Sequence, residues 1–384
     1  MVHPIRKHLC CGCGACANIC PKGCITMVSD EEGFLYPQVD TTACIQCDLC
    51  EKVCPMSAST QSAPLPTRAY GVKNRNEAIR KRSSSGGVFT ALAEHTLSQG
   101  GVVFGAAMTR DLQVYHMAVE EPEQLWQLQG SKYVQSQIGD TYAQAKAYLK
   151  AGRPVLFSGT PCQISGLKAF LGKDYDHLLC QDIICHGAPS PAVWKQYVAY
   201  RESVADSKAK NVSFRYKDPS WTDYQMRFEF ENGSIYQAGK QQDPYMRAFL
   251  ADLCLRPSCY SCAFKGQNRP ADITLADYWG VWDIHPEVDD DKGTSLVFTH
   301  SEKGAAALEA IREQLEIFPT QAQEAIRRNS AMIACAPRPK NREAFLSQVQ
   351  ADNFEQVVNQ FRPKPSLLKR LLTKAKGLVK KLIR

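Results

Sequence analysis

Five of the twelve residues in CCGCGACANICP, positions 10 to 21, are cysteine. Cys10, Cys13, Cys16 and Cys20 follow a C-x2-C-x2-C-x3-C stride closed by Pro21. Cys44, Cys47, Cys50 and Cys54 repeat that stride, closed by Pro55. Three thiolates so spaced wrap one cubane [4Fe–4S] cluster, and the fourth crosses over to a second cluster. The spacing assigns Cys10, Cys13, Cys16 and Cys54 to one cluster, and Cys44, Cys47, Cys50 and Cys20 to the other. Gly12 and Gly14 would let the backbone come close. Zinc sites pair their ligands across a longer loop, and an odd total of 17 cysteines does not make a pure disulfide framework. Cys11 and Cys24 fall outside the stride and read as spare thiols.

The other cysteines are scattered. Cys259 and Cys262 form a C-x2-C in RPSCYSCAFKG, just after Cys254. Cys162 follows a Gly-Thr-Pro turn in VLFSGTPCQISGLKAFL, where a helix begins and its dipole would lower a thiol pKa. Cys185 ends the apolar run LLCQDIIC. Strand ends of an α/β sheet share one rim, so Cys162 and Cys185 could meet there under the C-x2-C loop. On spacing alone a third cluster and a set of core thiols remain equal readings. Cys180 and Cys335 read as structural. His186, beside Cys185, is a candidate proton donor, since imidazole titrates near neutrality.

Two turns could hold an anion. RKRSSSGGVFTALAEH sets Ser83 to Gly87 before an amphipathic helix, near Lys81 and Arg82, and GSKYVQS adds a lysine and a tyrosine to a second turn. Backbone N–H groups at such a helix start suit a phosphate, although neither stretch is a dinucleotide fingerprint or a P-loop. Cubane clusters pass single electrons, and a flavin converts these to pairs.

The elements that must position these residues follow from patterning. Residues 1–56 hold ten of the cysteines, and 57–66 read as a polar, Pro-containing linker. Beyond it GVVFGAAM, RPVLFSG, HLLCQDIIC, NVSFRYK, YQMRFEF, ADITLADYW and TSLVFTH read as strands, with helices at VFTALAEHTLSQ and DTYAQAKAYLKA. Asn-Gly in FEFENGSIYQ predicts a hairpin insertion, and residues 301–361 read as mostly helical. The expected fold is α/β, with a bacterial-ferredoxin-like dicluster domain, a flavin-binding core carrying the hairpin, and a helical C-terminal region. The chain has 384 residues, 44% of them hydrophobic, enough for two or three domains. No secretory signal and no apolar run near the ~20 residues of a spanning helix is visible, so the expectation is cytoplasmic.

The net charge of +7 belongs to residues 362–384, whose nine Lys and Arg with no acid leave the rest at −2. Nucleic acid is therefore not an expected partner. SLLKRLLTKAKGLVKKLIR sets Leu367, Leu368, Leu371, Leu372, Leu378, Val379, Leu382 and Ile383 on one helical face against basic residues. That pattern fits a peripheral helix on anionic lipid at the inner membrane face. A partner-docking helix or a disordered basic tail are the alternatives.

Taken together, the double quartet, SSSGGVF, GSKYVQS, VLFSGTPCQISGLKAFL, DIICHGAPSP and CYSCAFKGQNRPADITLADYWG resemble the coenzyme F420 hydrogenase/dehydrogenase beta-subunit family, from about Leu9 to His300. The resemblance implies a beta-subunit N-terminal region at 67–148 that binds FAD. It implies a C-terminal region at 149–300 that holds FAD and a third [4Fe–4S] cluster. The implied ligands are Cys162, Cys185, Cys259 and Cys262, with Cys254 in reserve. Ser84, Ser85, Gly86, Gly87, Ser131, Lys132, Tyr133 and Thr160 match the family's FAD segments. Ala276 stands where relatives often show Gly before the residue matching Asp277. The implied activity is an iron–sulfur flavoprotein oxidoreductase passing electrons between a ferredoxin or coenzyme F420-type carrier and an organic substrate. The alternative is a non-catalytic electron-transfer subunit of a larger redox complex.

Overall fold

The computed structural model describes residues 7–57, 68–218 and 220–361. Most of the 57–66 linker and all of the basic tail from 362 lie outside them. Among the described residues no helix is long and apolar enough to cross a membrane.

The cysteine-rich domain is small: α1 (Ala15–Ile19), β1 (Ile25–Ser29), β2 (Leu35–Val39) and α2 (Leu49–Lys52). β1 and β2 pair antiparallel, Ile25 opposite Val39, with Phe34 fully buried between them. So few apolar residues make a weak core by themselves. The domain instead shares an apolar cluster with the larger body, in which Cys11, Cys13 and Ala15 pack with Ile138, Tyr142, Phe157, Ile164 and Leu167.

The larger body begins with β3 (Arg68–Asn74), α3 (Glu77–Arg82), α4 (Val88–Ser98), β4 (Val102–Met108) and β5 (Val114–Val119). Next come α5 (Thr141–Lys150), β6 (Val155–Gly159), α6 (Pro161–Leu171), β7 (Leu178–Ile183) and α7 (Pro191–Ala205). Then follow β8 (Ala209–Tyr216), β9 (Gln225–Phe230), β10 (Ile235–Gly239), α8 (Pro244–Leu250), β11 (Ile273–Asp277), β12 (Ser295–Thr299) and β13 (Leu315–Thr320). Eight strands form one mixed sheet in the order β13-β3-β12-β11-β7-β6-β4-β5. Its centre, β11-β7-β6-β4, is parallel, and both flanks are antiparallel. The central runs are apolar because helices cover both faces of a parallel block.

β8, β9 and β10 form a separate antiparallel sheet, with Tyr236 opposite Phe228 across the Asn-Gly turn. Trp194, Tyr197, Phe214, Phe228, Tyr245 and Phe249 build its core against α7 and α8. Cys254 is buried in this aromatic core.

The expectation of a helical 301–361 region is corrected at one place. Glu302–Ala310, Ala322–Ile326, Arg342–Gln348 and Phe354–Phe361 are helices, but Leu315–Thr320 is an edge strand paired with β3. Pro319 fits there because an edge strand tolerates a missing N–H. Phe318 lies over Gly71 of β3, occupying the space a side chain would fill.

Candidate functional site

The two cysteine turns have the same backbone. Gly12 and Gly14 have φ of 69° and 73°, and the matching Gln46 and Asp48 have 54° and 56°. Each turn thus adopts the left-handed conformation twice, although only the first uses glycine for it. Cys20, Cys44, Cys47 and Cys50 line one cavity with Cys24, Pro21, Ile25, Val39 and Leu49. Cys47 is exposed, so this cavity faces solvent. Cys24 lies 3.3 Å from Cys20, sulfur to sulfur. Desolvation pushes the Cys20 thiol up, but bonds from Cys24 and from the Lys22, Gly23 and Cys24 backbone outweigh it and hold the thiol below its usual range.

Cys16 shares its surroundings with the other set. Burial first, then the Cys10, Cys54 and Cys50 thiols, push it up to about 12. Cys13 rests on α6, where a Cβ at Gly166 would come within 2.9 Å of its Cβ and Sγ. Cys11 is buried within hydrogen-bond reach of Cys13 and Cys162 and is raised well above the ordinary thiol range, the Cys13 bond contributing most.

α6 starts sharply after β6. Thr160 and Gln163 form a capping box, Pro161 occupies the first turn, and Gly172 ends the helix with φ 69°. The helix start was expected to lower the Cys162 pKa. The outcome is the reverse: the bond with Cys11, then burial, raise it well above the usual value, and these exceed a dipole effect worth at most ~2 kcal/mol. Cys185, at the end of β7, is pushed up to about 12 by burial, with Cys162 and Cys262 adding to it. Cys259 is also raised, by burial and then by Cys185, with Cys162 and Cys262 adding further. Burial raises Cys262, with Cys162 and Cys335 contributing. These four thiols, from three separate parts of the chain, therefore feel one another in a desolvated space. Their polar partners are few: Ala188 N–H donates to Cys259 Sγ at 3.3 Å, and Thr160 Oγ1 lies 3.2 Å from Cys162 Sγ. Lys265, bonded to the Cys185 and Ala331 carbonyls at 2.6 Å, adds a positive charge beside Cys185 and Cys262. Among the described residues no three His, Cys, Asp or Glu side chains converge on a single-ion site. Four mutually coupled thiols are a donor set of the kind a cubane would take.

The small-residue turns meet. Ser131 donates through its N–H and hydroxyl to Ser84 Oγ, at 2.7 and 2.8 Å. Ser85 donates to Thr294 O, and Gly86 N–H donates to Ser295 Oγ. A Cβ at Gly86 would strike the Val72 carbonyl, so the turn lies flat on β3 and β12. Gly87, φ 86°, starts α4 without a side-chain cap. Lys132 donates to the Gln129 and Gly130 carbonyls, and burial pushes it down to about 7. Tyr133 stacks on Phe249 with centroids 5.0 Å apart and accepts from Arg215 at 3.3 Å. Thr160 is engaged in its capping box. Gln163 continues from it to Ser136 and His116, whose Nε2 faces Ser158 O and so carries the proton.

His186 Nε2 pairs with Asp252 at 2.6 Å, and the ring stands edge-on to Phe249, centroids 5.1 Å apart. His186 thus touches the residue on which Tyr133 stacks.

Several site residues were not anticipated. Lys217 spans the Arg80, Ser85 and Lys292 carbonyls at 2.6, 2.9 and 2.8 Å, and burial, then Arg80 and Arg215, push it down to about 7. Arg215 forms a bidentate pair with Asp277, at 2.7 and 3.0 Å, and donates to Ser84 O. Trp221 donates to Asp277 and stacks flat on Trp279 at 5.0 Å. Arg215 near the end of β8 and Lys217 just past it reach the Ser84 and Ser85 carbonyls. The signal was present as two cations two apart on a strand, but a charged strand face usually points to solvent.

Residues 9–58 match the 4Fe-4S dicluster domain. Residues 69–141 match the coenzyme F420 hydrogenase/dehydrogenase beta subunit N-terminus, and 152–323 its C-terminus. A coenzyme F420-dependent sulfite reductase of Methanocaldococcus jannaschii is 29% identical over 176 residues, 43% of this chain and 25% of that protein. The chain thus spans about a quarter of that relative. An uncharacterised ferredoxin of the same organism is 32% identical over 71 residues, 18% of this chain and 91% of that protein. A chain of the F420-reducing [NiFe] hydrogenase complex from Methanosarcina barkeri aligns at TM-score 0.46 and 17% identity, over 70% of this chain and 92% of that one. With a 4Fe-4S dicluster domain ahead of both halves of the beta subunit, the chain belongs to the coenzyme F420 hydrogenase/dehydrogenase beta-subunit family.

Proposed function

We propose that this chain is an iron–sulfur flavoprotein oxidoreductase with two cubane clusters in its N-terminal domain, a third in its core, and FAD. The observation that carries the reading is the convergence of Cys162, Cys185, Cys259 and Cys262 in one desolvated space, in the same body as the Ser84–Ser131 turn pair. When bound, the clusters supply single-electron transfer and FAD the conversion to a hydride.

The residues divide the work by position. Cys20, Cys44, Cys47 and Cys50 would hold the solvent-facing cluster, within reach of a ferredoxin-type partner. Cys10, Cys13, Cys16 and Cys54 would hold the inner one, pressed on α6. Cys11 of the cysteine turn and Cys162 of α6 are coupled electrostatically, and electrons would cross between the two bodies there. Lys132 and Lys217, pushed down to about 7 and bonded to carbonyls in the described contacts, would be held charged by a bound anion, and with Ser84, Ser85, Gly86, Gly87 and Ser131 they suit a pyrophosphate. Tyr133 and Thr160 complete the set matched to the family. His186, oriented by Asp252, belongs to the same proposal as the proton donor for an organic substrate. A deazaflavin-type carrier would react at the flavin.

Iron, acid-labile sulfide and flavin should be counted per chain on anaerobically purified protein. About twelve irons and one FAD follow from three cubanes and a flavin. About eight irons without flavin would refute the reading in favour of an electron-transfer subunit.

A further inference from the structure

We infer that Arg256 is a potential-setting residue: a buried guanidinium from the core whose counter-charge is the iron–sulfur cluster beside Cys10. It rests on the cluster assignment of Cys10 proposed above.

Arg256 is 1% exposed. Nε donates to Cys10 O at 2.7 Å, and the other two nitrogens to Gln135 Oε1 at 2.8 Å and Leu35 O at 2.9 Å. The plane stacks on Tyr36 with its carbon 4.3 Å from the ring centroid. All three acceptors are neutral, and among the described residues no carboxylate pairs with it. A fully buried cation without an anion is strongly disfavoured in a low-dielectric interior. Three other buried arginines have such partners, Arg215 with Asp277, Arg269 with Asp182 and Arg342 with Glu32, while buried Arg201 lies against the rings of Tyr200 and Tyr236.

The space for the guanidinium is built into the cysteine turn. A Cβ at Gly12 would lie 2.7 Å from an Arg256 nitrogen, so Gly12 makes room for this arginine. Gln135 fixes both sides, accepting from Arg256 and donating to Cys11 O at 3.0 Å. The cation sits where the Cys10–Cys13 turn meets the core. An anionic cluster is the group this arrangement lacks. Each electron the cluster accepts adds negative charge beside a fixed cation, so Arg256 favours the reduced form.

The test is an EPR-monitored redox titration of full-length holoprotein. In Arg256→Met the reduced-to-oxidised ratio of the inner cluster at fixed potential should fall about tenfold, about 59 mV for a one-electron couple. Arg256→Lys, which keeps the charge, should stay near wild type. Gln135→Glu leaves Arg256 in place and supplies a carboxylate, and it should lower the ratio in the same direction, deciding the matter if Arg256→Met does not fold. Unchanged potentials in Arg256→Met or Gln135→Glu at full iron content would overturn the inference, as would an equal fall in Arg256→Lys. Failure of the cluster assignment itself would show differently, as wild-type protein with no inner-cluster signal to titrate.

Discussion

Gly166→Ala isolates the contact between the two bodies. In an exposed helix the change gains about 1 kcal/mol, because alanine loses less backbone freedom on folding. Here the new Cβ would lie 2.9 Å from both Cβ and Sγ of Cys13 and 3.1 Å from the Tyr142 hydroxyl. Carbon atoms pack best at roughly 3.5–4.0 Å, so the two backbones must separate by about 0.6 Å or more. Neither side gives easily. α6 lies against the sheet, with Ile164 and Leu167 fully buried and the Tyr142 hydroxyl bonded to Gln163 O at 2.7 Å. The Cys10–Cys13 turn is tied by Arg256 and Gln135. Overpacking of this kind costs roughly 1–3 kcal/mol, which meets or exceeds the helix gain. The expected outcome is a net loss of about 1 kcal/mol in denaturant unfolding of the reduced, anaerobic protein. The EPR signal of the inner cluster should change while that of the solvent-facing one does not. A variant more stable than wild type with both signals unchanged would refute the packing of α6 on Cys13.

Gln46→Gly relieves a non-glycine residue at φ 54° and should stabilise the second cysteine turn by roughly 0.5–1 kcal/mol, and a loss of stability in unfolding experiments would count against that backbone. Asp277→Asn leaves Arg215 buried without its carboxylate and should cost about 3–5 kcal/mol by denaturant titration, and a cost below about 1 kcal/mol would show that the pair is not desolvated. His116 is pushed down from 6.5 to about 4, chiefly by burial, so the native imidazole stays neutral where the unfolded one binds a proton. Its contribution is therefore present above pH 6.5 and lost as pH falls from 6.5 to about 4, on the order of 3 kcal/mol in all. His116→Gln should flatten stability against pH by one proton over that window, and an unaltered slope would mean that His116 is not buried neutral.

What was legible in the sequence was what proximity along the chain encodes. Each N-terminal cubane takes three thiolates from one turn, so the quartets announce themselves by stride. The parallel centre of the sheet reads as apolar runs because both of its faces are covered. β3 escaped notice because Gly71, Lys73 and Asn74 break its pattern. Those residues suit a strand only once Phe318 covers the glycine and the body of the protein buries the other two. β5 was hidden in the same way by His116, a polar residue in a buried position satisfied by Ser136 and Ser158.

The cations were the least legible, and the reason is electrostatic. A lysine or arginine in a sequence is read as solvated because burial is so costly. Arg215, Lys217 and Arg256 are informative because each is an exception to that expectation. Arg215 meets the cost with Asp277, whereas the described hydrogen bonds of Lys217 and Arg256 go to neutral acceptors, Asp277 and Asp290 acting on Lys217 without a bond. A buried charge left to neutral acceptors or to aromatic rings, as at Arg256 and Arg201, would be relieved by an anion bound beside it. For Arg256, beside the Cys10 carbonyl, the inference above names that anion as the cluster; Lys217, beside the Ser85 carbonyl, is only half-buried and is pushed down to about 7, so it can shed its proton instead.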